Sequence, residues 1–332
     1  MKRATLRDVA LASGVHVSTV SRILRGDSER VRPDTIVRVR AHADALGYSA
    51  DRWAASLRSG RTNLIGMLVP RITDIVLATV FEAFEEEAAR NGYLVLVAST
   101  WDAADRRAAA LARFVSQRVD GIVIGDSRLN DDEVEDFARS GPPVLLISRR
   151  TADLPFVTGD DYGGGAQAGH HIADVGAKSA RVIAGPDYAS TSRDRVAGFS
   201  DAFLGRGDGR HVEVLPAGFD LDSGRRAMER VIEAGVPDAV FVVNDFAAIG
   251  AMSTLHRAGI VPGRDIAVVG YNDIPISAQL PVPLSSVRAD LSAMGRTAFQ
   301  SMRSLIDTKT TESVFVETKL VVRESSSLSP AR

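Results

Sequence analysis

Residues 5–24, TLRDVALASGVHVSTVSRIL, read as two short helices joined by a turn. Thr5 and Asp8 have the spacing of a capping box, in which the hydroxyl accepts an amide one turn in and the carboxylate reaches back. Asp8 also complements the positive end of the helix. The first helix is expected to run to about Ser13 with Val9 and Ala10 inward, and Gly14 supplies the turn. Val20, Ile23 and Leu24 then fall at core spacing on a second helix from about Val17. Such a pair is a helix-turn-helix, whose second helix enters the major groove by its N-terminal residues. The residues expected on its exposed face are Val17, Ser18, Thr19, Ser21 and Arg22. Ser18 can bond a base edge, Val17 can meet a thymine methyl, and Arg22 can read guanine or hold a phosphate. Thr19 and Ser21 suit phosphates. Thr5 and His16, at the two helix starts, complete the candidate DNA contacts of this stretch. The alternative is a polar helical hairpin with no DNA role.

Charge favours DNA. Residues 1–61 hold 12 Lys and Arg against 6 Asp and Glu, and the whole chain of 332 residues holds 40 and 42, which leaves 28 and 36 for the rest. A basic module of +6 thus precedes an acidic body of −8, the asymmetry expected of a nucleic-acid-binding end. A third helix is expected from Pro33, with Ile36, Val39, Ala43 and Leu46 at helical spacing and Gly47 as its left-handed stop. YSADRWAASL (48–57) follows; Asp51 can cap a helix there, but two turns are too short to be stable alone.

From Asn63 the pattern changes. Apolar runs at 64–69, 93–99, 120–125, 144–148, 180–185, 211–215, 239–245 and 265–271 alternate with amphipathic helical stretches. Strands apolar throughout and separated by helices indicate parallel sheets covered on both faces. The units are too many for one sheet of ordinary size, so two doubly wound lobes are expected. Open α/β sheets bind ligands beyond the C-terminal ends of their strands. That rule marks Arg71–Asp74, Trp101-Asp102, Asp126-Ser127, Asn244-Asp245 and Asn272-Asp273.

The opening stretch, Gly47-Tyr48, the Ala54/Leu57 pair and Thr62–Gly66 resemble the lactose-repressor (LacI/GalR) family of bacterial transcription regulators. The likeness extends through VDGIVI, RVAGF (195–199), VVNDFAAIGAM (242–252) and VVGYNDIPIS (269–277). The resemblance implies an all-α head and an α/β body of two doubly wound parallel-sheet lobes, similar to periplasmic sugar-binding proteins. It implies a head over 1–47, a hinge helix and linker over 48–61, a first lobe over 62–160 and 290–317, a second over 161–289 and 318–325, and a tail over 326–332. In the family the hinge orders on operator DNA and a leucine matching Leu57, beside Ala54, wedges into the minor groove. This chain departs from the family's usual residues at His16, Arg32, Ala50-Asp51 and Trp53. The implied effector residues are Arg195, Asn244, Asp245, Asn272 and Phe219, with Asp74, Trp101 and Asp102 from the first lobe. Several have plainer readings: Arg195 as a surface ion pair, Asn244-Asp245 as a helix cap, Asn272-Asp273 as a turn, Trp101 as packing.

The partners implied are double-stranded operator DNA, a sugar or related polar metabolite, and a second copy of the chain as a homodimer. No cofactor or metal is expected. Gly163-Gly164-Gly165 lacks the dinucleotide fingerprint, and the adjacent His170 and His171 diverge on a helix. The chain has no cysteine and no run long enough to span a membrane, and its N-terminus reads as no secretion signal. A cytoplasmic location is therefore expected. The expected function is an effector-responsive, sequence-specific transcriptional regulator acting as a repressor. The alternatives are an activator of the same family, a small-molecule receptor with no DNA role, and an enzyme, for which no catalytic constellation is found.

Overall fold

The computed structural model describes residues 4–24, 28, 31–47, 60–207 and 209–327. The chain divides between Thr62 and Asn63 into two units. In the first, α1 (Leu6–Ser13), α2 (Val17–Leu24) and α3 (Pro33–Ala45) enclose a small core of Val9, Ala10, Val20, Ile23, Val39 and Ala43. The capping box forms in both directions: the Thr5 amide lies 2.7 Å from Asp8 Oδ2, and the Asp8 amide 3.4 Å from Thr5 Oγ1. Gly14 ends α1 at φ 64°, a left-handed conformation that is free of strain only without a Cβ. Arg38 Nε donates to the Ser13 carbonyl at 3.1 Å and ties α3 to the end of α1.

Two expectations for this unit need correction. Ser21 is buried, because α1 and α3 both pack against so short a helix, and it leaves the DNA-facing set. Leu46 is exposed, because α3 ends at Ala45 before it could turn inward. Ala54 and Leu57, with Asp51 and Trp53, lie outside the described residues.

In the second unit, β1 (Leu64–Val69) shows why the body is layered. Its Ile65, Met67 and Val69 enter one core and Leu68 the other, so both faces of the strand are buried. It is followed by α4 (Ile75–Arg90), β2 (Leu94–Ser99), α5 (Ala104–Ser116), β3 (Gly121–Ile124), α6 (Asp132–Ser140), β4 (Val144–Ile147) and β5 (Phe156–Gly159). The chain then builds α7 (Asp161–Asp174), β6 (Ser179–Ala184), α8 (Ser190–Leu204), β7 (His211–Pro216), α9 (Leu221–Glu233), β8 (Ala239–Val242), α10 (Asp245–Arg257), β9 (Ala267–Asn272) and β10 (Ser285–Ala289). It closes with α11 (Leu291–Thr308), β11 (Val314–Val316) and β12 (Thr318–Val321).

Two six-stranded sheets result, in the orders β11-β5-β4-β3-β1-β2 and β12-β10-β9-β8-β6-β7. All pairings are parallel except that of β12 with β10. The chain passes from one sheet to the other after β5, after β10, and between β11 and β12. The first sheet and its helices are here the first lobe, the second sheet and its helices the second.

The glycine run at 163–165 lies inside α7. Asp160 caps the helix by accepting the Gly163 amide at 2.9 Å. A Cβ at Gly165 would strike the Arg195 carbonyl, and one at Gly164 the Tyr271 hydroxyl. The glycines therefore serve close approach of α7 to α8 and β9. The polar end of the chain also differs from expectation. Ser326, read as the start of a free tail, is fully buried, with Oγ 2.6 Å from Ser285 Oγ and 2.7 Å from His171 Nε2.

Candidate functional site

Eight parallel strands, four from each sheet, end at one cavity of about 560 Å³. From the first lobe it is lined by Arg71, Asp74, Trp101, Asp102, Ser148 and Arg149; from the second by Tyr188, Arg195, Phe219, Asp220, Asn244 and Asn272. Left-handed backbone recurs at these strand ends: φ is 60° at Trp101, 57° at Asp102, 65° at Ser148 and 100° at Asn272. Non-glycine residues rarely adopt such angles, and those that do concentrate at functional sites.

The second-lobe groups are fixed from behind. Arg195 Nε donates to Asp161 Oδ1 and a terminal nitrogen to the Val243 carbonyl, both at 2.7 Å, with the guanidinium 3.7 Å above the centre of the Tyr271 ring. Burial opposes its charge, but the Asp161 carboxylate and the Tyr271 hydroxyl together outweigh it and hold Arg195 above the ordinary arginine range. It is a buried ion pair, not a surface one. Asn244 caps α10 by accepting the Ala247 amide at 2.9 Å and donates to the Phe219 carbonyl at 2.8 Å. The cap reading is therefore correct, although the residue also lines the cavity. Asn272 lines the cavity too, and no described residue bonds its side-chain amide.

Asp245 does not belong to the cavity. It is 1% exposed, and its carboxylate accepts the Ile274 amide at 2.8 Å, the Ser277 hydroxyl at 2.8 Å and the Ser286 hydroxyl at 2.7 Å. As the first residue of α10 it turns into the lobe, where it anchors the segment after Asn272. Burial raises it to about 6. Asp126 and Ser127, marked by the strand-end rule, are likewise buried; Asp126 Oδ2 accepts the Thr100 hydroxyl at 2.5 Å, and Arg107 donates to the Asp126 carbonyl at 3.1 Å.

On the first lobe, Asp74 caps α4 by accepting the Val76 amide at 2.9 Å, and burial raises its carboxyl above the usual range. Both oxygens of Asp102 are engaged by Arg149, at 2.6 and 3.2 Å. Arg149 also lies 5.7 Å from the centre of the Tyr188 ring and 5.8 Å from that of Phe219, across the cleft. Trp101 is 55% exposed, with Arg71 stacked 4.9 Å from its ring. The expected residues Asp74, Trp101, Asp102, Arg195, Phe219, Asn244 and Asn272 thus meet at one cavity. Ser148, Arg149, Tyr188 and Asp220 were missed. Extending the strand-end rule to VLLIS would have found the first two, and extending it to Gly185-Pro186 the third.

On α2, Ser18 and Arg22 are exposed one turn apart, while Val17 and Thr19 are half-buried. His16 takes the capping position: its Nδ1 accepts the Ser18 amide at 3.3 Å and lies 2.8 Å from Ser18 Oγ. An imidazole thus does the work that a hydroxyl does in the usual N-cap.

A helix-turn-helix unit in one chain with a two-lobed body, its cavity at the strand ends, defines a ligand-responsive DNA-binding regulator. The family models agree. One described as "Bacterial regulatory proteins, lacI family" matches residues 5–51, and one described as "Periplasmic binding proteins and sugar binding domain of LacI family" matches residues 62–324. The chain belongs to the LacI family, and it is an effector-responsive transcriptional regulator. It is 27% identical over 335 residues to the HTH-type transcriptional regulator DegA of Bacillus subtilis, covering 98% of each chain. It is 28% identical to the HTH-type transcriptional repressor PurR of Photobacterium profundum, covering 97% of this chain and 98% of that one. A lac repressor dimer solved on operator with the anti-inducer ONPF superposes with a TM-score of 0.86 at 25% identity, covering 99% of this chain and all of that one. A CelR–cellobiose complex gives 0.73 at 28% identity, covering 97% of this chain and all of that one. No helix among the described residues is long and apolar enough to cross a membrane.

Proposed function

We propose that the protein is a homodimeric repressor whose operator affinity is set by a hydroxyl-bearing metabolite, a sugar or related polyol, in the cleft between the lobes. The observation that carries this reading is the cavity itself, which joins an uncommitted amide on Asn272, the Asp74 carboxylate and the aromatic faces of Phe219, Tyr188 and Trp101. Polar groups that fix hydroxyls, beside rings that cover apolar faces, suit such a ligand. The relatives point the same way: one solved structure carries cellobiose and another the anti-inducer ONPF. The effector acts by differential affinity for two arrangements of the lobes, because a ligand that binds both equally shifts nothing. Ser18, Arg22, Val17, Thr19, His16 and Thr5 are the head residues assigned to DNA, each operator half-site taking one head.

The test has two parts. Purified protein retards its own promoter region in a gel, and deletion of residues 1–61 abolishes this; retardation that survives the deletion sinks the DNA assignment. A thermal-shift screen of sugars, polyols and nucleobases then finds a ligand that raises Tm. Asn272→Ala removes that rise and leaves promoter retardation unchanged. A normal rise in the variant refutes the placement of the effector.

A further inference from the structure

We infer that His16 and Ser18 form a donor–acceptor pair of fixed polarity that reads operator bases, His16 Nε2–H selecting guanine or thymine and Ser18 Oγ selecting a base that offers an amino hydrogen. The inference rests on the DNA-binding reading and refines it.

It begins with a proton that only one arrangement allows. A backbone N–H can only donate, and the Ser18 amide points at His16 Nδ1. Nδ1 therefore carries the lone pair, and the neutral ring carries its hydrogen on Nε2. With Nδ1 an acceptor, the Ser18 hydroxyl 2.8 Å away donates to it. A serine hydroxyl ordinarily rotates to suit its partner and reads either kind of base edge. Here its hydrogen is held by the ring, so Oγ has only lone pairs left to offer. Both side chains are exposed, and no other described residue bonds either. The start of α2 thus presents one donor and one acceptor side by side, at the part of a recognition helix that meets base edges. In the major groove guanine N7 and O6 and thymine O4 accept, whereas amino hydrogens belong to cytosine N4 and to adenine N6, beside its N7 acceptor.

The full-length protein is tested by selection from a randomised duplex library, for the native chain, His16→Ser and Ser18→Ala. His16→Ser keeps a hydroxyl cap, so α2 still starts in place. The native motif contains a guanine-or-thymine position that His16→Ser relaxes by about tenfold, the scale of one good base contact. In the same variant the Ser18 position broadens to accept T and G, because the freed hydroxyl can again donate. Ser18→Ala relaxes only its own position. An unchanged motif in His16→Ser overturns the inference and leaves DNA binding standing; a native chain that enriches no sequence overturns both. Independently, ¹⁵N-histidine spectra of the full chain, with the His16 signal identified by its loss in His16→Ser, show the proton on Nε2. A proton on Nδ1 overturns the inference.

Discussion

On the second lobe three cleft residues are sunk into the protein and held from behind. Arg195, Asn244 and Asn272 are 7%, 5% and 5% exposed, and Asp161, Phe219 and Asp245 brace them or the segments that carry them. On the first lobe Trp101 stands 55% exposed, and the charged groups pair with each other or reach across the cleft. Arg150, from the end of β4, bonds Asp194 of α8 at 2.6 Å, and Arg128 stacks 4.8 Å from the Tyr188 ring. These second-lobe residues form a preformed template, while Arg128, Arg149 and Arg150 of the first lobe reach across to groups of the second. A ligand that changes the lobe spacing therefore alters the bonds of the first-lobe groups more than those of the second.

Four substitutions test that asymmetry. Arg195→Ala leaves the Asp161 carboxylate buried without its partner and is expected to cost about 3–5 kcal/mol in urea unfolding. A cost near that of an exposed pair would mean the template is not rigid. Asp245 gives a pH signature. Its folded value of about 6 lies above the ordinary 3.8, so the folded state takes up a proton more readily than the unfolded one. The penalty for a buried carboxylate is present at neutral pH and is relieved as pH falls through about 6. Against Asp245→Asn, which cannot ionise, the native chain should therefore gain roughly 2–3 kcal/mol between about pH 7 and pH 4. Unfolding curves of both proteins across that range check this, and parallel curves refute it. Arg150→Ala removes a partly exposed pair between the lobes and should cost only about 0.5–1 kcal/mol, with its larger effect on the effector concentration needed to change operator affinity. Trp101→Ala should stay within about 0.5 kcal/mol of native stability in the same unfolding assay, because the ring is mostly in solvent. It should still reduce the effector-induced rise in Tm, and a large stability loss would show that the first-lobe face is also built in.

Much of this architecture was legible in the chain. The capping box at Thr5 and Asp8, the stop at Gly14 and the both-face apolar runs of β1, β3, β4, β8 and β9 are local patterns, and local patterns report local structure. The short strands β10 and β11 were not read, because SSVRA is largely polar, VFV is only three residues long, and β11 pairs with β5, far away along the chain. The glycines of α7 are opaque in the sequence for a similar reason. Their low helix propensity argues against a helix, and only the backbone of α8 against them explains why nothing larger stands there. Within the site, Asn272 was found by its place at a strand end and Arg195 by likeness to a family, but Arg149 was not, since its partners Asp102 and Tyr188 lie 47 and 39 positions away.

The sequence by itself determined the class of the protein: a basic helix-turn-helix unit, then strands and helices mostly in alternation, with ligand groups where the strands end. Periodicity, caps and charge are properties of neighbours along the chain, so they survive without coordinates. The tertiary structure alone decided which of the marked residues face the cleft and which face inward. Asn244 and Asp245 are adjacent and equally polar, yet one lines the cavity and the other is sealed among Ile274, Ser277 and Ser286. Successive residues at a helix start point in directions about 100° apart, and what each meets there is set by the packing of distant segments.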